Sequence, residues 1–236
     1  MFLWIASMIK HLACIMDGNR RWALQQGLIS FYGHKKGFDA VKTVIDFCLK
    51  KEIPYLSLYA FSIENLKRTA QERYYLFEVL APQVAQEIES LKEKNIRVRF
   101  SGDRALFPDS IRFLCENIEQ KTQHCTGLLL NFLVCYGGQQ EIADAARRIA
   151  VKVKAGDLDE SDVTPDLFEN FLWTAGIPRP DLIIRTGGYQ RLSNFLLFQG
   201  AYSEIYFLDC LWPDISCEDL EKAATHFYHC QKNFGQ

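Results

Sequence analysis

Short apolar runs bounded by polar loops alternate with longer amphipathic segments along this chain. The runs at 11–16, 54–61 and 128–135 have the length and composition of buried strands. The segment 33–50 carries its apolar residues on one helical face and its lysines elsewhere. The same patterns predict strands at 96–101, 181–184 and 205–207, and helices at 70–95, 108–123, 139–154, 164–175 and 217–232. A strand, a helix and a strand in succession imply a parallel crossover, so we expect an α/β fold with a mostly parallel central β-sheet flanked by helices.

Length and composition favour a single domain. With 236 residues and 48% hydrophobic content, the chain can bury one core and is below the size at which cores usually divide. We expect a flexible apolar N-terminus at 1–10 and one domain at 11–236. The apolar start is much shorter than the ~20 residues of a membrane-spanning helix. It also lacks the basic start of a secretory signal, and an interfacial membrane contact is the alternative interpretation.

Net charge gives no support for nucleic-acid binding, and the cysteine positions argue against a disulfide-bonded protein. A net charge of −2 gives no reason to expect a nucleic-acid partner. The 8 cysteines contain no Cys-x-x-Cys pair, and most of them lie in or beside apolar segments. We therefore expect reduced, mostly buried thiols in a cytoplasmic protein.

A polar loop with an acid and two arginines directly follows the first predicted strand. It reads Asp17-Gly18-Asn19-Arg20-Arg21-Trp22. The carboxyl end of a strand is where open α/β sheets bind ligands. There an acid can hold a divalent cation, a glycine permits close backbone approach, and arginines donate to phosphate. By itself the loop is equally well interpreted as a polar turn with solvated arginines.

A second basic loop follows the predicted strand at 181–184. It contains Arg185, Gly187, Gly188 and Arg191. Two such loops at strand ends indicate two phosphorylated ligands, so metal-assisted diphosphate chemistry is favoured over the turn interpretation.

Both loops resemble those of the cis-prenyltransferases, the undecaprenyl diphosphate synthase family. The resemblance covers nearly the whole chain and includes Gly33-His34-Lys35-Lys36-Gly37, Leu58-Tyr59-Ala60-Phe61-Ser62-Ile63-Glu64-Asn65, Tyr136-Gly137-Gly138 and Ala201-Tyr202-Ser203-Glu204-Ile205-Tyr206-Phe207. It implies a Mg²⁺-dependent enzyme that condenses isopentenyl diphosphate onto an allylic diphosphate such as farnesyl diphosphate. The product would be a long Z-polyprenyl diphosphate, undecaprenyl diphosphate in a bacterial setting. It further implies a hydrophobic tunnel walled by the helix at 70–95 and a homodimer. Because each isoprene unit of the product gains free energy in an apolar phase, we also expect peripheral membrane contact for product release.

The resemblance also implies roles for individual residues. Asp17 and Asn65 are the catalytic candidates, and Asp17 with Glu204 would hold Mg²⁺. The group that assists departure of the diphosphate or accepts the proton stays open among His34, Ser62 and Asn65. Arg185, Arg191 and Ser193 would bind isopentenyl diphosphate. The remaining candidate substrate-binding residues are Gly18, Asn19, Arg20 and Arg21 for the allylic diphosphate, together with Trp22, His34, Ser62, Asn65 and Arg68.

The chain departs from the family pattern at several positions. Ser30 stands where many relatives carry an arginine, and Tyr189 replaces the acid usual after the Gly-Gly pair. The other departures are Leu66, Thr69, Cys135, Gln139 and Gln140. These leave the affinity for the allylic primer open.

Two other function classes remain as alternatives. A catalytically silent partner subunit of a prenyltransferase typically lacks the first-loop acid, which is present here as Asp17. A Mg²⁺-dependent phosphohydrolase would use Asp17 as its nucleophile, but it predicts neither a second basic loop nor a tunnel helix.

Overall fold

A computed structural model describes residues 8–74, 77 and 86–230 of the chain. Its strands are β1 (His11–Ile15), β2 (Tyr55–Ser62), β3 (Arg97–Ser101), β4 (Leu129–Tyr136), β5 (Leu182–Arg185) and β6 (Glu204–Phe207). Its α-helices are α1 (Asn19–Gln25), α2 (Ser30–Lys50), α3 (Ala70–Tyr74), α4 (Ile88–Glu93), α5 (Asp109–Thr122), α6 (Gly138–Ala155), α7 (Pro165–Glu169) and α8 (Cys217–His229). Short 3₁₀ turns lie at Ile63–Lys67, Arg104–Leu106, Glu160–Asp162, Gln199–Tyr202 and Trp212–Asp214.

The strands form one sheet in the order β3-β4-β2-β1-β5-β6. β1 pairs in parallel with β2 and with β5, β5 pairs in parallel with β6, and β3 pairs in parallel with β4. Helices make the crossovers that parallel pairing requires. The predicted α/β fold with a parallel central sheet is confirmed.

The described chain consists of two compact units. The first comprises residues 8–58, 179–191 and 202–230. Every residue of β1 and of β5 is buried. Continuous burial is typical of parallel strands that are covered on both faces. Helix α2 contributes a helically spaced apolar face to this core, which includes Val41, Val44, Ile45, Phe47 and Cys48.

Glycines allow α1 and α2 to pack closely within the first unit. A side-chain carbon at Gly33 would overlap the carbonyl oxygen of Asn19, and one at Gly37 would overlap its side-chain oxygen. Trp212 closes the same contact by donating from Nε1 to the Gly37 carbonyl at 2.8 Å. The glycines of the Gly33–Gly37 motif therefore have a packing role, which is to let α1 lie against α2.

The second unit comprises residues 192–201 and the described part of 59–178. Seven of the eight β4 residues are buried. A buried carboxylate, Glu141, accepts hydrogen bonds from the Tyr136 hydroxyl at 2.5 Å, Thr174 Oγ1 at 3.1 Å and Gln199 Nε2 at 2.9 Å. Burial and the nearby carboxylate raise the pKa of Tyr136. These neutral donors satisfy the carboxylate and join β4, α6 and two loops.

Several predicted boundaries differ from the structure. Helix α2 begins at Ser30 instead of residue 33, and a short helix, α1, occupies part of the first polar loop. Helix α7 is capped by Thr164 with Pro165 at its first position, as expected, but it ends at Glu169. A short helix followed by turns replaces the predicted longer helix. None of the residues Pro165–Glu169 is buried, so little tertiary packing stabilises the helix.

The middle of the predicted tunnel helix at 70–95, residues 75, 76 and 78–85, lies outside the described residues. Helices α3 and α4 describe its two ends, and Phe77, Ile88 and Leu91 are buried. The boundary between 1–10 and 11–236 also stays a prediction. No helix in the described ranges is both long and apolar enough to span a membrane.

The cysteines are free thiols, as predicted, and most of them are buried. Cys14, Cys48, Cys115, Cys125 and Cys135 are inaccessible. Burial raises the pKa of Cys115 and of Cys135 to about 12, so both stay protonated at neutral pH.

Candidate functional site

The Asp17 carboxylate lies between two guanidinium groups at the carboxyl ends of β1 and β5. Its Oδ1 accepts from Arg21 Nη2 at 3.1 Å, and its Oδ2 accepts from Arg185 Nη2 at 2.8 Å. The Arg185 side chain is 4% exposed and that of Asp17 is 27% exposed. These charge-assisted bonds fix the carboxylate while leaving it accessible from solvent.

Thr186 and Trp212 hold the backbone at Asp17 through three hydrogen bonds. Thr186 Oγ1 donates to the Asp17 carbonyl at 2.7 Å and accepts from the Asp17 N–H at 3.1 Å. The Trp212 N–H donates to the same carbonyl at 3.0 Å. Thr186 therefore connects the carboxyl ends of β1 and β5 and fixes the position of the Asp17 backbone.

The loop after β5 folds back through two glycines with positive φ. Gly187 has φ 88° and Gly188 has φ 74°, a conformation that side chains disfavour. The Gly187 N–H donates to Cys210 O at 2.8 Å, and its carbonyl accepts from Arg21 Nη1 at 2.8 Å. The turn thereby brings the second basic loop against Arg21 of the first.

Two arginines lie on the ring of Tyr189. The guanidinium carbon of Arg21 is 4.7 Å from the ring centroid, and that of Arg191 is 4.3 Å from it. Arg185 Nη1 also donates to the Arg191 carbonyl. With three arginines and one aspartate, this cluster has a formal charge of 3 − 1 = +2. An excess of positive charge at a strand end suits a diphosphate ligand.

Other candidates from the first loop have different surroundings. Gly18 precedes α1 with φ 116°, and Arg20 is exposed on that helix. The Asn19 side-chain oxygen is buried against Gly37 and accepts no hydrogen bond from the described residues. Trp22 Nε1 donates to Asp214 Oδ1 at 2.7 Å, a hydrogen bond that links α1 to the 3₁₀ turn Trp212–Asp214. His34 is half-buried on α2.

Ser62 and Asn65 form a capping box in the second unit. The Asn65 N–H donates to Ser62 Oγ at 3.3 Å, and the Ser62 N–H donates to Asn65 Oδ1 at 3.2 Å. The box begins the 3₁₀ turn Ile63–Lys67 directly after β2. In this capping box the Asn65 side-chain oxygen accepts the Ser62 N–H, so the side-chain NH₂ is the group of Asn65 that can donate to a ligand. Arg68 ends the turn, and its carbonyl accepts from Arg73 at 2.7 Å.

Ser193 lies in a second-unit loop that Asn194 anchors to α6. Ser193 has φ 51° and Asn194 has φ 66°. The Asn194 carbonyl accepts from the Gly138 N–H at 2.7 Å, and its Oδ1 accepts from the Gln139 N–H at 2.8 Å. Its amide group donates to Glu64 at 2.8 Å. Asn194 therefore fixes the backbone that presents Ser193.

The prediction that Asp17 and Glu204 bind one Mg²⁺ does not hold within a single chain. Sheet register pairs Leu12 with Leu182 and Leu182 with Glu204, so Glu204 lies level with the start of β1. Asp17 follows the opposite end of β1, and the strand rises about 10 Å between Leu12 and Ile15. The two carboxylates therefore lie at opposite ends of the parallel strands, Glu204 at the amino end and Asp17 at the carboxyl end.

A metal at Asp17 must take most of its ligands from substrate or water. Among the residues that the structure describes, no three His, Cys, Asp or Glu side chains are grouped to hold a metal ion. Mg²⁺ is commonly bound by one or two carboxylates together with substrate phosphates. Each Asp17 oxygen accepts one arginine bond and retains a lone pair, so the donor set fits Mg²⁺ bound together with a diphosphate.

Two site features escaped the sequence interpretation. Thr186 carries no motif signal, because its role depends on the pairing of β1 with β5. Tyr189 is evident from sequence only as a departure from the family pattern. Its contact with Arg21 joins residues from separate loops, and no local spacing indicates it.

Comparison with known proteins relates this arrangement to one family. The prenyltransferase family model described as undecaprenyl diphosphate synthase matches residues 15–235. A Pseudomonas putida protein named ditrans,polycis-undecaprenyl-diphosphate synthase, farnesyl-diphosphate specific, is 43% identical over 231 residues, which cover 98% of this chain and 92% of that protein. An isoprenyl transferase from Clostridium perfringens is 41% identical over 228 residues, which cover 97% and 90%.

Solved structures give the same result. Lavandulyl diphosphate synthase from Lavandula x intermedia, crystallised with dimethylallyl diphosphate, matches with a TM-score of 0.93 and 32% identity, covering 97% of this chain and 99% of that one. A probable undecaprenyl diphosphate synthase from Campylobacter jejuni matches with a TM-score of 0.81 and 32% identity, covering 98% and 100%.

Proposed function

The chain belongs to the undecaprenyl diphosphate synthase family of prenyltransferases, and from that premise we propose the reaction that it catalyses and the residues that carry it. The reaction is sequential 1'-4 condensation of isopentenyl diphosphate onto farnesyl diphosphate with cis geometry. The product is undecaprenyl diphosphate, a carrier lipid for cell-wall synthesis. The named relatives support this choice of primer and product.

One observation carries the proposal: the accessible Asp17 carboxylate is held by Arg21 and Arg185 at adjacent strand ends. The aspartate meets the electrostatic needs of a metal, and the arginines meet those of diphosphate oxygens. A phosphohydrolase needs a free nucleophilic carboxylate, whereas both Asp17 oxygens here accept arginine bonds. The geometry therefore favours a metal-holding role for Asp17 over a nucleophilic one.

The arginines would divide the substrates between them. Arg21, with Arg20 and the backbone at Gly18 and Asn19, would bind the allylic diphosphate. Arg185 and Arg191, with Ser193, would bind isopentenyl diphosphate. Each charge-assisted hydrogen bond to a phosphate oxygen contributes about 1.5–3 kcal/mol.

Asp17 would hold Mg²⁺ with the diphosphate oxygens, and the ion when bound would neutralise charge on the departing diphosphate. Arg21 and its neighbours would stabilise the same developing charge through fixed donors. His34, Ser62 and Asn65 are the candidates to assist departure of the diphosphate or to accept the proton, as the family resemblance implies.

We also propose that the active form is a homodimer. Strand β6 is at the end of the sheet, and each of its four residues is only partly buried in one chain. Peripheral membrane contact during product release completes the proposal, because a polyprenyl product gains about 0.8 kcal/mol per buried CH₂ in an apolar phase.

The decisive assay measures incorporation of labelled isopentenyl diphosphate onto farnesyl diphosphate with Mg²⁺, with products resolved by length. We expect a long product from the native chain and a loss of about 100-fold or more in kcat/KM for Asp17→Asn. Chelation of Mg²⁺ should abolish the product. Asp109→Asn is the matched control, because its side chain is 98% exposed at the start of α5.

Melting curves of both variants separate loss of activity from loss of folding. A folded native protein that forms no product with any allylic primer would indicate a silent partner subunit. Release of phosphate from the primer without condensation would indicate a hydrolase. Either result contradicts the proposed reaction.

A further inference from the structure

The ring of Tyr189 contacts arginines that belong to different loops. Arg21 belongs to α1, which follows β1 in the sequence, and Arg191 belongs to the loop that follows β5. Their guanidinium carbons lie 4.7 and 4.3 Å from the ring centroid. Both distances are within the range at which a cation is attracted to an aromatic face.

We propose that Tyr189 is a positioning residue that holds Arg21 and Arg191 in place for the two substrate diphosphates. This inference rests on the proposed function, in which Arg21 serves the allylic substrate and Arg191 serves isopentenyl diphosphate. A single ring then orders one arginine of each diphosphate site before either substrate binds.

The two arginines depend on the ring to different degrees. Arg21 is also fixed by Asp17 and by the Gly187 carbonyl, at 3.1 and 2.8 Å. The backbone of Arg191 is held by Arg185, and its guanidinium lies on Tyr189. Arg191 is exposed, so without the ring its side chain would sample many rotamers.

An aromatic ring orders these side chains without neutralising them. A carboxylate at this position would cancel one charge and compete with the diphosphate for the guanidinium donors. The ring quadrupole attracts both cations and leaves the formal charge of the cluster at 3 − 1 = +2. The arginine donors therefore stay available for phosphate oxygens.

The loop backbone is built to present the ring. Gly187 and Gly188, with φ of 88° and 74°, turn the chain directly before Tyr189. The Gly188 N–H donates to Leu208 O at 2.9 Å, which anchors the turn to the residue after β6. Tyr189 is 44% exposed, so the placement of its ring depends on this turn and on the arginines more than on core packing.

Steady-state kinetics of Tyr189→Leu and Tyr189→Phe test the inference. Phe keeps the ring and removes the hydroxyl, while Leu removes the ring and keeps apolar bulk. We expect Tyr189→Leu to raise KM for isopentenyl diphosphate by about fivefold and KM for farnesyl diphosphate by about twofold, with little change in kcat. The smaller effect on farnesyl diphosphate follows because Asp17 and the Gly187 carbonyl also fix Arg21. Tyr189→Phe should stay within about twofold of the native values.

Binding of inorganic pyrophosphate, measured by calorimetry, gives a second readout that needs no turnover. Tyr189→Leu should bind it about two- to fivefold more weakly than Tyr189→Phe. Melting curves of both variants should match that of the native chain, because the side chain is partly exposed.

The inference is overturned if Tyr189→Leu leaves both KM values unchanged or raises only one of them. It is also overturned if Tyr189→Phe is as impaired as Tyr189→Leu, since the hydroxyl would then be the important group. A native chain that lacks condensation activity would instead overturn the proposed function, and the pyrophosphate measurement would still test the ring.

Discussion

Gly187 shows how a single residue can limit the whole site. Its φ of 88° already disfavours any side chain. A side-chain carbon there would also overlap Arg21 Nη2 and lie 3.2 Å from the Asp17 carbonyl. Glycine is therefore favoured at position 187 both by the positive φ and by the lack of space for a side chain beside Arg21. At Gly156 only the positive φ favours glycine, with φ 74° and open space around it.

This contrast predicts different outcomes for the same substitution. Gly187→Ala and Gly156→Ala should each lower the free energy of unfolding by about 1 kcal/mol, because alanine is strained at positive φ. Only Gly187→Ala should also lower kcat/KM, on the order of tenfold to hundredfold, since it displaces Arg21. Urea denaturation and the condensation assay measure the two quantities. Equal activity of the two folded variants would contradict the assigned contact.

Among the local elements, two capping boxes have the same construction and different surroundings. Ser62 with Asn65 begins a 3₁₀ turn in a motif that the resemblance assigns to the site. Ser216 with Asp219 begins α8, where Ser216 Oγ accepts from the Asp219 N–H at 3.2 Å. Both serines satisfy backbone donors that would otherwise be unpaired.

Removal of the two caps separates folding from function. Ser62→Ala and Ser216→Ala should each destabilise the protein by about 1 kcal/mol in urea denaturation. If the Ser62 turn presents Asn65 to substrate, Ser62→Ala alone should lower kcat under conditions in which both variants are fully folded. An unchanged kcat for Ser62→Ala would reduce the motif to a structural cap.

For the molecule as a whole, the open edge of the sheet is the feature that points to assembly. β6 lies at the end of the strand order, and Glu204–Phe207 is partly exposed throughout. This edge strand carries Ile205, Tyr206 and Phe207 and contains no lysine. Such an apolar edge strand can pair with another chain, because no lysine side chain opposes the contact.

Sedimentation equilibrium should accordingly give about twice the chain mass of 27.3 kDa at micromolar concentration. Ile205→Lys should shift the equilibrium toward the monomer, because a lysine on the edge would be buried at the interface. Leu24→Lys is the control, since Leu24 is 70% exposed on α1. A native chain of monomer mass at every concentration would exclude the homodimer.

Several features follow from the sequence because their causes are local. Apolar period and run length predicted the six strands of the described chain and the helices α2, α5, α6 and α8 within a few residues. Because Asp17 follows β1 in the sequence, it is expected at the carboxyl ends of the parallel strands, where the structure places it. The Ser62 and Asn65 spacing is likewise local, and it forms the capping box of the 3₁₀ turn after β2.

By itself, then, the sequence determined the fold class, the strand ends that carry the basic loops, and the family resemblance, because these depend on residues near one another in the chain. Only the tertiary structure decided which distant groups meet. It joins Asp17 to Arg185 across 168 residues, places both Arg21 and Arg191 on Tyr189, and puts Glu204 at the opposite end of the parallel strands. Strand register and loop backbone geometry set these pairings, and the partner that each group meets depends on residues far apart in the chain, which local spacing does not identify.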